Sequence, residues 1–457
     1  MATQRRIDLV LDSVKRLLRI GATANLVNLL QKQHPADLAQ VFTELPDKER
    51  EASFTLLVER NGRLAMEALT ELGPESGAPL LATRPAEEIA RLAQDIESDD
   101  AAALIDNLPE DLSSAVLEMM QPKESKVVEN LLEYEERTAG RIMNPAVFAC
   151  NEDMTVGEAI TEIQSSRDVE MVFYLYVTDE RQHLVGVTSL RRLLLVSPET
   201  PLKRIMATDL ISARVDMDQE EVARQVAAYN LLAIPVVDEE NKLVGVITVD
   251  DVIDVIKDEA TEDIYRLAGV AGDERVFTPA KESLRKRLPW LGINLGTAFL
   301  AASVVGLFTG TIDAFPILAV FMPIVAGMGG NAATQTLTVI VRGIALGELT
   351  WGNSRKALLK EAMVGIGNGV ALGLVAALVA WATRGDPVLG VVLGTAMVIN
   401  MFVAATAGVL IPLGLRAANV DPALASSVFI TTMTDVFGFL SFLGLATIFA
   451  RYLTRAG

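Results

Sequence analysis

One aspartate in this sequence lies inside an apolar stretch, where its charge is unfavourable unless another group or ion neutralises it. Asp435 lies in the segment FITTMTDVFGF, thirteen residues after Pro422 and fifteen before Ala450, which places it near the middle of a bilayer if the stretch is a spanning helix. A charge at that depth costs about 2.5–3.5 kcal/mol even on the lenient insertion scale. No Lys, Arg or His occupies the middle of any apolar stretch, so the carboxylate needs a proton or a cation. We favour a passing cation; the alternative is a protonated Asp435 hydrogen-bonded to a neighbouring helix.

Two polar segments could accompany this acid along a path through the membrane. Thr431 and Thr432 precede it by four and three residues and Gly438 follows by three, a spacing that places them on one helix face. The segment PIVAGMGGNAATQT, residues 323–336, combines three glycines with Asn331 and further polar side chains. Glycines weaken a helix, and irregular backbone at membrane depth is tolerated only against protein or a water-filled cavity. We therefore predict that both segments line a hydrated pore.

The available ligand atoms favour a hard divalent cation. His34, His183 and Cys150 all precede the apolar part, which leaves carboxylate, hydroxyl, amide and carbonyl oxygens. Such oxygens suit Mg²⁺, Ca²⁺ or Mn²⁺ better than soft metals. One carboxylate is too few for a dehydrated cage, whereas Mg²⁺ keeps several waters and needs only one or two carboxylates. We predict Mg²⁺ as the ion, shared by the two copies of Asp435 in a homodimer.

A second concentration of acids lies between the polar and the apolar parts of the chain. The segment VDDVIDVIKDEATEDIYRLAG, residues 249–269, holds seven Asp or Glu against Lys257 and Arg266. Acids at helical spacings repel by several tenths of a kcal/mol per pair, roughly, unless they are neutralised. A solvated acidic helix would explain the pattern, but the position of the segment suits a cation-responsive gate, and a Mg²⁺ sensor is the hypothesis we prefer.

Five apolar stretches are predicted to span the membrane around the ion path. Each exceeds the roughly 18–20 residues that cross a bilayer. They comprise residues 288–312, 314–341, 362–383, 387–415 and 422–450. The beginning of the chain has no apolar core of signal-peptide length, and basic residues flank the first stretch and separate the second from the third. We predict a multi-pass protein of the cell inner membrane, with a cytoplasmic N-terminus and the C-terminus outside.

Small residues in the third stretch predict close packing of two helices. Gly365, Gly369 and Gly373 recur every four residues, which places them on one face. Small residues at this spacing let two helix backbones approach each other in a membrane. We interpret this face as a packing surface rather than a binding site.

Two kinds of repeat precede the membrane part. Proline followed by acids is a helix-start signal, and it recurs at Pro35, Pro46, Pro74, Pro85, Pro109 and Pro122. Short Leu-rich segments follow each, so residues of about 20–130 predict a helical solenoid. Further on, GRIMNPAVFACNEDMTVGEAI near Arg141 resembles KRIMATDLISARVDMDQEEVA near Arg204. YLYVTDERQHLVGVTSLRRLL likewise resembles AIPVVDEENKLVGVITVDDVI, and the repeat is typical of a tandem CBS-domain pair.

Charge and composition exclude several function classes. The chain carries a net charge of −19, of which about −23 falls on residues 1–285 and about +4 on the remainder. This acidity argues against nucleic acid as a partner. A lone cysteine excludes internal disulfides and a thiolate metal site within one chain. No GxxxxGK[ST] phosphate loop and no nucleophile–base constellation occurs, so we expect neither an enzyme nor direct drive by ATP.

The whole order of segments resembles the MgtE family of Mg²⁺ transporters. Matching signatures are YEERTAGRIM (134–143), GMGGNAATQT (327–336) and P-L…DPA…TT..D..G between Pro412 and Gly438. The resemblance implies a multi-domain membrane protein with an α-helical solenoid N domain, an α/β CBS-domain pair, a connecting helix and a five-helix transmembrane domain. The predicted boundaries are 1–135, 136–203, 204–258, 259–283 and 284–457.

The resemblance also implies a homodimeric Mg²⁺ channel in the lipid membrane, whose cytosolic domains bind Mg²⁺ and close the pore. Asp435 then resembles the selectivity-site carboxylate, and Asn331 falls in the pore-lining segment. The matching sensor residues are Glu67, Asp99, Asp218, Glu220, Asp251, Asp254, Glu259, Glu262, Asp263 and Asp421.

Four positions depart from the family pattern. Ala103 and Asn230 stand where acids are expected, which weakens one or two of the implied sensor sites. Arg192 and Leu231 replace the acid and the aromatic through which some members bind ATP in the CBS pair, so ATP binding is doubtful. Two other functions stay open: a carrier for another divalent ion such as Co²⁺ or Mn²⁺, and a membrane-anchored sensor that transports nothing.

Overall fold

The protein divides into two units along the chain. The computed structural model describes residues 2–165, 173–270, 272, 274, 276, 278–423 and 426–453. The first unit is Met1–Ile256 and the second Lys257–Gly457. Each unit has its own hydrophobic clusters.

Ten helices open the first unit. They are α1 (Ala2–Arg19), α2 (Thr23–Leu30), α3 (Pro35–Glu44), α4 (Asp47–Arg60), α5 (Gly62–Leu72), α6 (Pro74–Leu81), α7 (Ala86–Ala93), α8 (Ser98–Asp106), α9 (Glu110–Met119) and α10 (Pro122–Glu133). Every predicted proline start is confirmed, because a helix begins at each of these prolines or at the next residue.

Neighbouring helices of this set stack as a solenoid. Helix α3 packs on α5, α5 on α7, α7 on α9, and α6 and α10 both pack on α8. The aromatic rings of Phe42 and Phe54 meet edge to face, with centroids 6.4 Å apart, inside the apolar core. The predicted helical solenoid is therefore confirmed.

The remainder of the first unit is a duplicated α/β module. After α11 (Ala139–Ile142), the first copy contains β1 (Ala149–Asn151), α12 (Val156–Ser165), β2 (Tyr174–Thr178), β3 (Leu184–Ser189) and α13 (Leu190–Leu195). The second contains β4 (Ala213–Arg214), α14 (Gln219–Tyr229), β5 (Ala233–Val237) and β6 (Leu243–Thr248). In each copy the first two strands are parallel and the last two antiparallel. The identical topology confirms the predicted CBS pair.

The acidic segment forms one helix, but not with the boundaries predicted for the connecting helix. Helix α15 spans Val249–Leu267, whereas the prediction was 259–283. It begins directly after β6 and ends before Gly269, whose φ of +71° lies in the left-handed region that glycine tolerates best. The next helix starts only at Ala280. The acids of the segment therefore lie on one continuous helix.

Five helices of the second unit are long and apolar enough to cross a membrane. They are α16 (Ala280–Gly306), α18 (Ile317–Ala345), α19 (Ser354–Arg384), α20 (Pro387–Ala417) and α21 (Ser426–Ile448), and the short α17 (Thr309–Ala314) follows α16. The predicted number of spans is confirmed. Helix α17 lies where the first apolar stretch was expected to continue.

The glycines of α19 form the predicted packing face. Gly365, Gly369 and Gly373 are all buried against α20. A Cβ on Gly373 would lie 2.8 Å from the carbonyl oxygen of Gly394, which is too close for any side chain. The two helix backbones therefore approach each other closely, as the spacing predicts.

The expected weakening of the second span does not occur. Helix α18 continues without a break through Gly327, Gly329 and Gly330. A spanning segment must satisfy its backbone hydrogen bonds internally, and this requirement outweighs the low helix propensity of glycine. The segment consequently presents its polar side chains as a stripe on a regular helix.

Candidate ion path and metal sites

Asp435 lies on α21 with a partly exposed side chain. No Lys, Arg or hydrogen-bond donor among the described residues pairs with its carboxylate. Its neighbours Thr431 and Thr432 donate their hydroxyl hydrogens to backbone carbonyls of the preceding turn, at 2.9 and 2.6 Å. A hydroxyl that donates to its own helix still has oxygen lone pairs to offer a cation. The face around Asp435 is therefore rich in acceptors, and nothing described there holds the acid as a hydrogen-bonded neutral group.

Helix α18 carries the matching polar stripe. Asn331, Thr334, Gln335 and Thr338 follow one another at helical spacing and all four are exposed. On the opposite face, Ala333 and other apolar residues are buried in the second unit. Exposed amides and hydroxyls on a spanning helix are costly against lipid, so this face requires water or another chain.

One acid of the membrane part was missed by the sequence analysis. Glu361 lies on α19, is 4% exposed, and accepts a hydrogen bond of 3.3 Å from the hydroxyl of Thr336 on α18. Lys360 pairs with its other oxygen. Since Glu361 immediately precedes the uncharged stretch that begins at residue 362, the search for acids within stretches passed over it. Its contacts tie α19 to the buried side of α18.

The first unit brings two predicted sensor residues together. Asp99, at the start of α8, lies close enough to Asp251, near the start of α15, that the charge of Asp251 contributes to its electrostatic surroundings. The hydroxyl of Thr248 donates to Asp251 at 2.7 Å. The Oδ1 atom of Asp99 is buried and has no hydrogen-bond partner among the described residues. This acceptor lacks a hydrogen or a cation to bind.

Further acids surround this pair. Burial, followed by the charges of Asp251, Asp100 and Glu97, raises the pKa of Asp99 well above its usual value. Burial is also the largest cause that raises the pKa of Asp100 to about 7 and that of Asp251 to about 6. Sequence analysis missed Glu97 and Asp100 as site residues. Glu97 is the N-cap residue of α8 and Asp100 lies in its first turn. Acids at these positions are an ordinary helix-start pattern that gives no indication of a second acidic segment nearby.

Three other predicted sensor residues have ordinary local roles. Glu67 pairs with Arg63 at 2.9 Å on the surface of α5. Asp218 caps α14 by accepting a hydrogen bond of 2.8 Å from the amide of Glu220. Glu220 itself lies 3.9 Å from Arg224. The structure does not place them in one group with a shared ligand position.

The second unit holds another acidic group, on the later half of α15. Glu262 and Asp421 both pair with Arg266, so one guanidinium lies between the two predicted ligands. Burial, then the charge of Glu259, raises the pKa of Asp263. Asp254 lies exposed on the earlier half of the same helix.

Neither acidic group forms a complete metal-binding site. Among the residues that the structure describes, no three His, Cys, Asp or Glu side chains converge on a position that could hold a metal ion. The donor set of Asp99, Asp100 and Asp251 nevertheless fits a hard cation in chemistry, because it is all oxygen and its charge is uncompensated. A bound cation would require these side chains to converge further.

The positions expected to decide ATP binding do not line the cavity that lies against α14. A cavity of about 490 Å³ lies against α14, and its lining includes Arg224 and Tyr229. Arg192 and Leu231 are absent from that lining, and Arg192 is exposed.

Comparisons with known proteins cover all of these domains. Residues 322–445 match the family MgtE, described as divalent cation transporter, and residues 33–137 match the MgtE intracellular N domain. Residues 139–199 and 202–258 each match the CBS domain.

Three similar proteins have the name magnesium transporter MgtE. The chain is 36% identical to that of Thermus thermophilus over 95% of this chain and 97% of the relative. It is 34% identical to that of Bacillus subtilis, with 96% of each chain covered. The relative from Enterococcus faecalis is 38% identical over 72% of this chain and 73% of its own.

Solved structures match the cytosolic part. The cytosolic domain of the Mg²⁺ channel MgtE in complex with ATP is 37% identical with a TM-score of 0.50, covering 54% of this chain and 99% of that one. The soluble part of a magnesium transporter is 28% identical, also with a TM-score of 0.50, and covers 56% and 99%. With matches that extend from the helical solenoid to the last span, this chain belongs to the MgtE family.

Proposed function

We propose that this protein is a passive Mg²⁺ channel that takes up magnesium across the cell membrane and is closed by Mg²⁺ bound to its cytosolic part. The observation that carries the proposal is Asp435. It is a carboxylate on a spanning helix with no partner among the described residues and with hydroxyl oxygens beside it. The relatives named magnesium transporters support Mg²⁺ as the ion, and their family is one of transporters rather than enzymes.

The ligand chemistry supports Mg²⁺ over softer ions. All histidines and the single cysteine precede the second unit, so no imidazole or thiolate lines the path, and the polar groups beside Asp435 are hydroxyl and carbonyl oxygens. Mg²⁺ loses its waters reluctantly and is commonly held by one or two carboxylates through a partly hydrated shell. A single Asp435 per chain suits an ion that passes with its waters, and Asn331 would contribute an amide oxygen along the way.

A homodimer would complete the path. The polar stripe of α18 and the face around Asp435 are exposed on one chain. A second copy would remove both faces from lipid and bring two carboxylates to one divalent ion. The same arrangement has cytoplasmic N-termini and outer C-termini, in keeping with basic residues near α16 and between α18 and α19.

Mg²⁺ binding to the acidic groups supplies the proposed gate. Asp99, Asp100 and Asp251 hold charge that burial makes unfavourable, and a divalent cation would relieve it. In the second unit the ion would compete with Arg266 for Glu262 and Asp421. Because α15 is one continuous helix, ions bound along it would hold it in one position. ATP is no part of the proposal, since Arg192 and Leu231 replace the expected acid and aromatic.

The decisive experiment is uptake of Mg²⁺ into liposomes that contain the purified full-length protein. We expect Asp435→Asn to reduce uptake at least 100-fold, because the amide keeps the size but not the charge of the ligand. Asp313→Asn is the matched control, since Asp313 is an exposed acid on α17 away from α21's polar face, and it should stay within twofold of the wild type.

Three results would contradict the proposal. Normal Mg²⁺ uptake by Asp435→Asn would remove Asp435 from the path. Equal competition by Co²⁺ or Mn²⁺ against Mg²⁺ in the wild type would instead favour a carrier of broader selectivity. An absence of any divalent uptake, together with intact Mg²⁺ binding, would favour a sensor that transports nothing.

A further inference from the structure

The interior of the membrane part contains a buried asparagine that lies outside the proposed ion path. Asn400 lies near the middle of α20 and is 1% exposed. Its Nδ2 donates a hydrogen bond of 2.8 Å to the carbonyl oxygen of Val325 on α18, whereas its Oδ1 is buried without a partner among the described residues. An unsatisfied buried acceptor destabilises the folded protein. A purely apolar residue would avoid this cost, so stability alone does not account for an amide here.

Two glycines make room for this amide. A Cβ built on Gly329 of α18 would overlap Nδ2 of Asn400, and one built on Gly438 of α21 would lie 2.8 Å from the same atom. Real Cβ atoms essentially never approach other heavy atoms that closely. The side chain of α20 is therefore held between two bare backbone segments, one on each neighbouring helix.

The hydrogen bond from Asn400 acts as a tether between helices. In an α-helix the carbonyl of Val325 already accepts the amide hydrogen of residue 329. The bond from Asn400 takes the second lone pair of that oxygen, so it is not needed to satisfy the backbone. What it adds is a fixed distance and a fixed rotation of α18 relative to α20.

Both contacts adjoin the residues that line the proposed path. Gly329 lies two residues before Asn331 on α18, and Gly438 lies about one helical turn after Asp435 on α21. A shift of either helix at the glycine would move the neighbouring ligand. The amide thus lies where the two ligand-bearing helices meet α20.

We propose that Asn400 is a positioning residue of the ion path, which sets the register of α18 against α21 and so the geometry between Asn331 and Asp435. The proposal rests on the proposed function. Since displacements of about 1 Å at a site can alter its action strongly, loss of the tether should change ion affinity and selectivity more than protein stability.

The test compares three full-length proteins in liposomes: the wild type, Asn400→Leu and the control Asn368→Leu. Leucine matches asparagine in size and suits an apolar interior but donates no hydrogen bond. Asn368 is an exposed asparagine on the spanning helix α19. Mg²⁺ uptake is measured over a range of Mg²⁺ concentrations, and Ca²⁺ uptake in parallel. The thermal midpoint of each protein is measured in detergent.

We expect Asn400→Leu to raise the half-saturating Mg²⁺ concentration at least tenfold and to admit more Ca²⁺, with a thermal midpoint near that of the wild type. Asn368→Leu should stay within twofold. If Asn400→Leu does not fold, Gly329→Ala/Asn400→Ala replaces it, because the added methyl group occupies part of the vacated space without restoring the tether. That double variant should show the same raised half-saturation.

Wild-type half-saturation and selectivity in whichever Asn400 variant folds would overturn the inference. So would a fall in maximal uptake with unchanged half-saturation, which a merely structural residue would produce. Failure of the proposed function looks different: neither the wild type nor Asn368→Leu would take up Mg²⁺.

Discussion

Two regions of this protein hold carboxylates whose charge is not compensated, and they differ in how many they hold. On α21, Asp435 is a single acid among hydroxyl and apolar groups. In the first unit, Asp99, Asp100 and Asp251 are crowded and largely buried, with raised pKa values. One carboxylate cannot replace the waters of Mg²⁺, whereas several together can hold the ion.

The difference corresponds to two tasks. An ion in a path must bind weakly enough to leave, which favours one carboxylate and retained waters. A sensor must stay occupied at the concentration it reports, which favours several carboxylates that repel one another when empty. In the proposed function, the single acid of α21 belongs to passage and the crowded acids of the first unit belong to regulation.

The largest expected effect is on Mg²⁺ uptake, which variants of the two regions should change in opposite directions. Asp435→Asn should stop uptake, whereas Asp99→Asn/Asp251→Asn should leave uptake active at Mg²⁺ concentrations that close the wild type. We expect the concentration for half-closure to rise at least tenfold in the double variant, since two of the crowded charges are gone. Uptake into liposomes with varied Mg²⁺ on the cytosolic side measures it. Loss of uptake in both variants would contradict the proposal that the two regions have different functions.

The crowded region should also respond to pH. The usual pKa of 3.8 for Asp100 and Asp251 is raised to about 7 and about 6 in the folded protein. Raised carboxyl pKa values mean that the fold is favoured at low pH and loses stability as pH rises from roughly 4 to 7. The loss is about 3–4 kcal/mol for each of the two groups, since one pKa unit corresponds to about 1.4 kcal/mol. Hydrogen exchange of the full-length protein without Mg²⁺ should show less protection of α8 and early α15 at pH 8 than at pH 5.

Mg²⁺ should cancel that pH dependence. With Mg²⁺ bound, the carboxylates stay ionised and their charge is neutralised, so protection at pH 8 should return to at least the level at pH 5. Asp435→Asn should behave like the wild type in this experiment, which separates the two regions again. A pH dependence that survives saturating Mg²⁺ would place the raised pKa values outside the sensor.

Binding of Mg²⁺ near pH 6 should release protons from the crowded acids. Burial and acidic neighbours raise the pKa of Asp100 to about 7, so this carboxyl is largely protonated near pH 6, whereas a metal ligand must be deprotonated. We expect about one proton released per chain. Calorimetry in two buffers of different ionisation enthalpy measures the number, and Asp100→Asn should lower it. Equal heats in both buffers would contradict the assignment.

The smallest expected effect concerns the arginine between Glu262 and Asp421. Arg266→Gln removes a tethered cation that occupies both acids, so Mg²⁺ should close the protein at about a three- to tenfold lower concentration. The matched control is Arg63→Gln, which breaks the exposed pair with Glu67 and should change little. If closure by Mg²⁺ needs a higher concentration in Arg266→Gln, the arginine stabilises the closed state instead of competing for it.

Much of the fold follows from local patterns in the sequence. Five apolar stretches, two similar CBS segments and repeated proline starts each depend on residues close together in the chain, and all are present in the structure. The boundaries of the connecting helix were less accurate. The helix begins at Val249 because it continues directly from the last CBS strand, so it starts before residue 258, where both the predicted second CBS domain and the CBS match end.

Among the candidate site residues, some can also be identified from the sequence, and others depend on tertiary contacts. Asp435 could be identified from the sequence alone, because an acid in an apolar span is costly wherever its neighbours lie. Other contacts depend on segments that lie far apart in the chain. They are the proximity of Asp99 to Asp251, the burial of Glu361 against Thr336, and the packing of Asn400 against Gly329. Only tertiary packing decides such contacts, since spacing along one helix or strand gives no information about the side chains of the next.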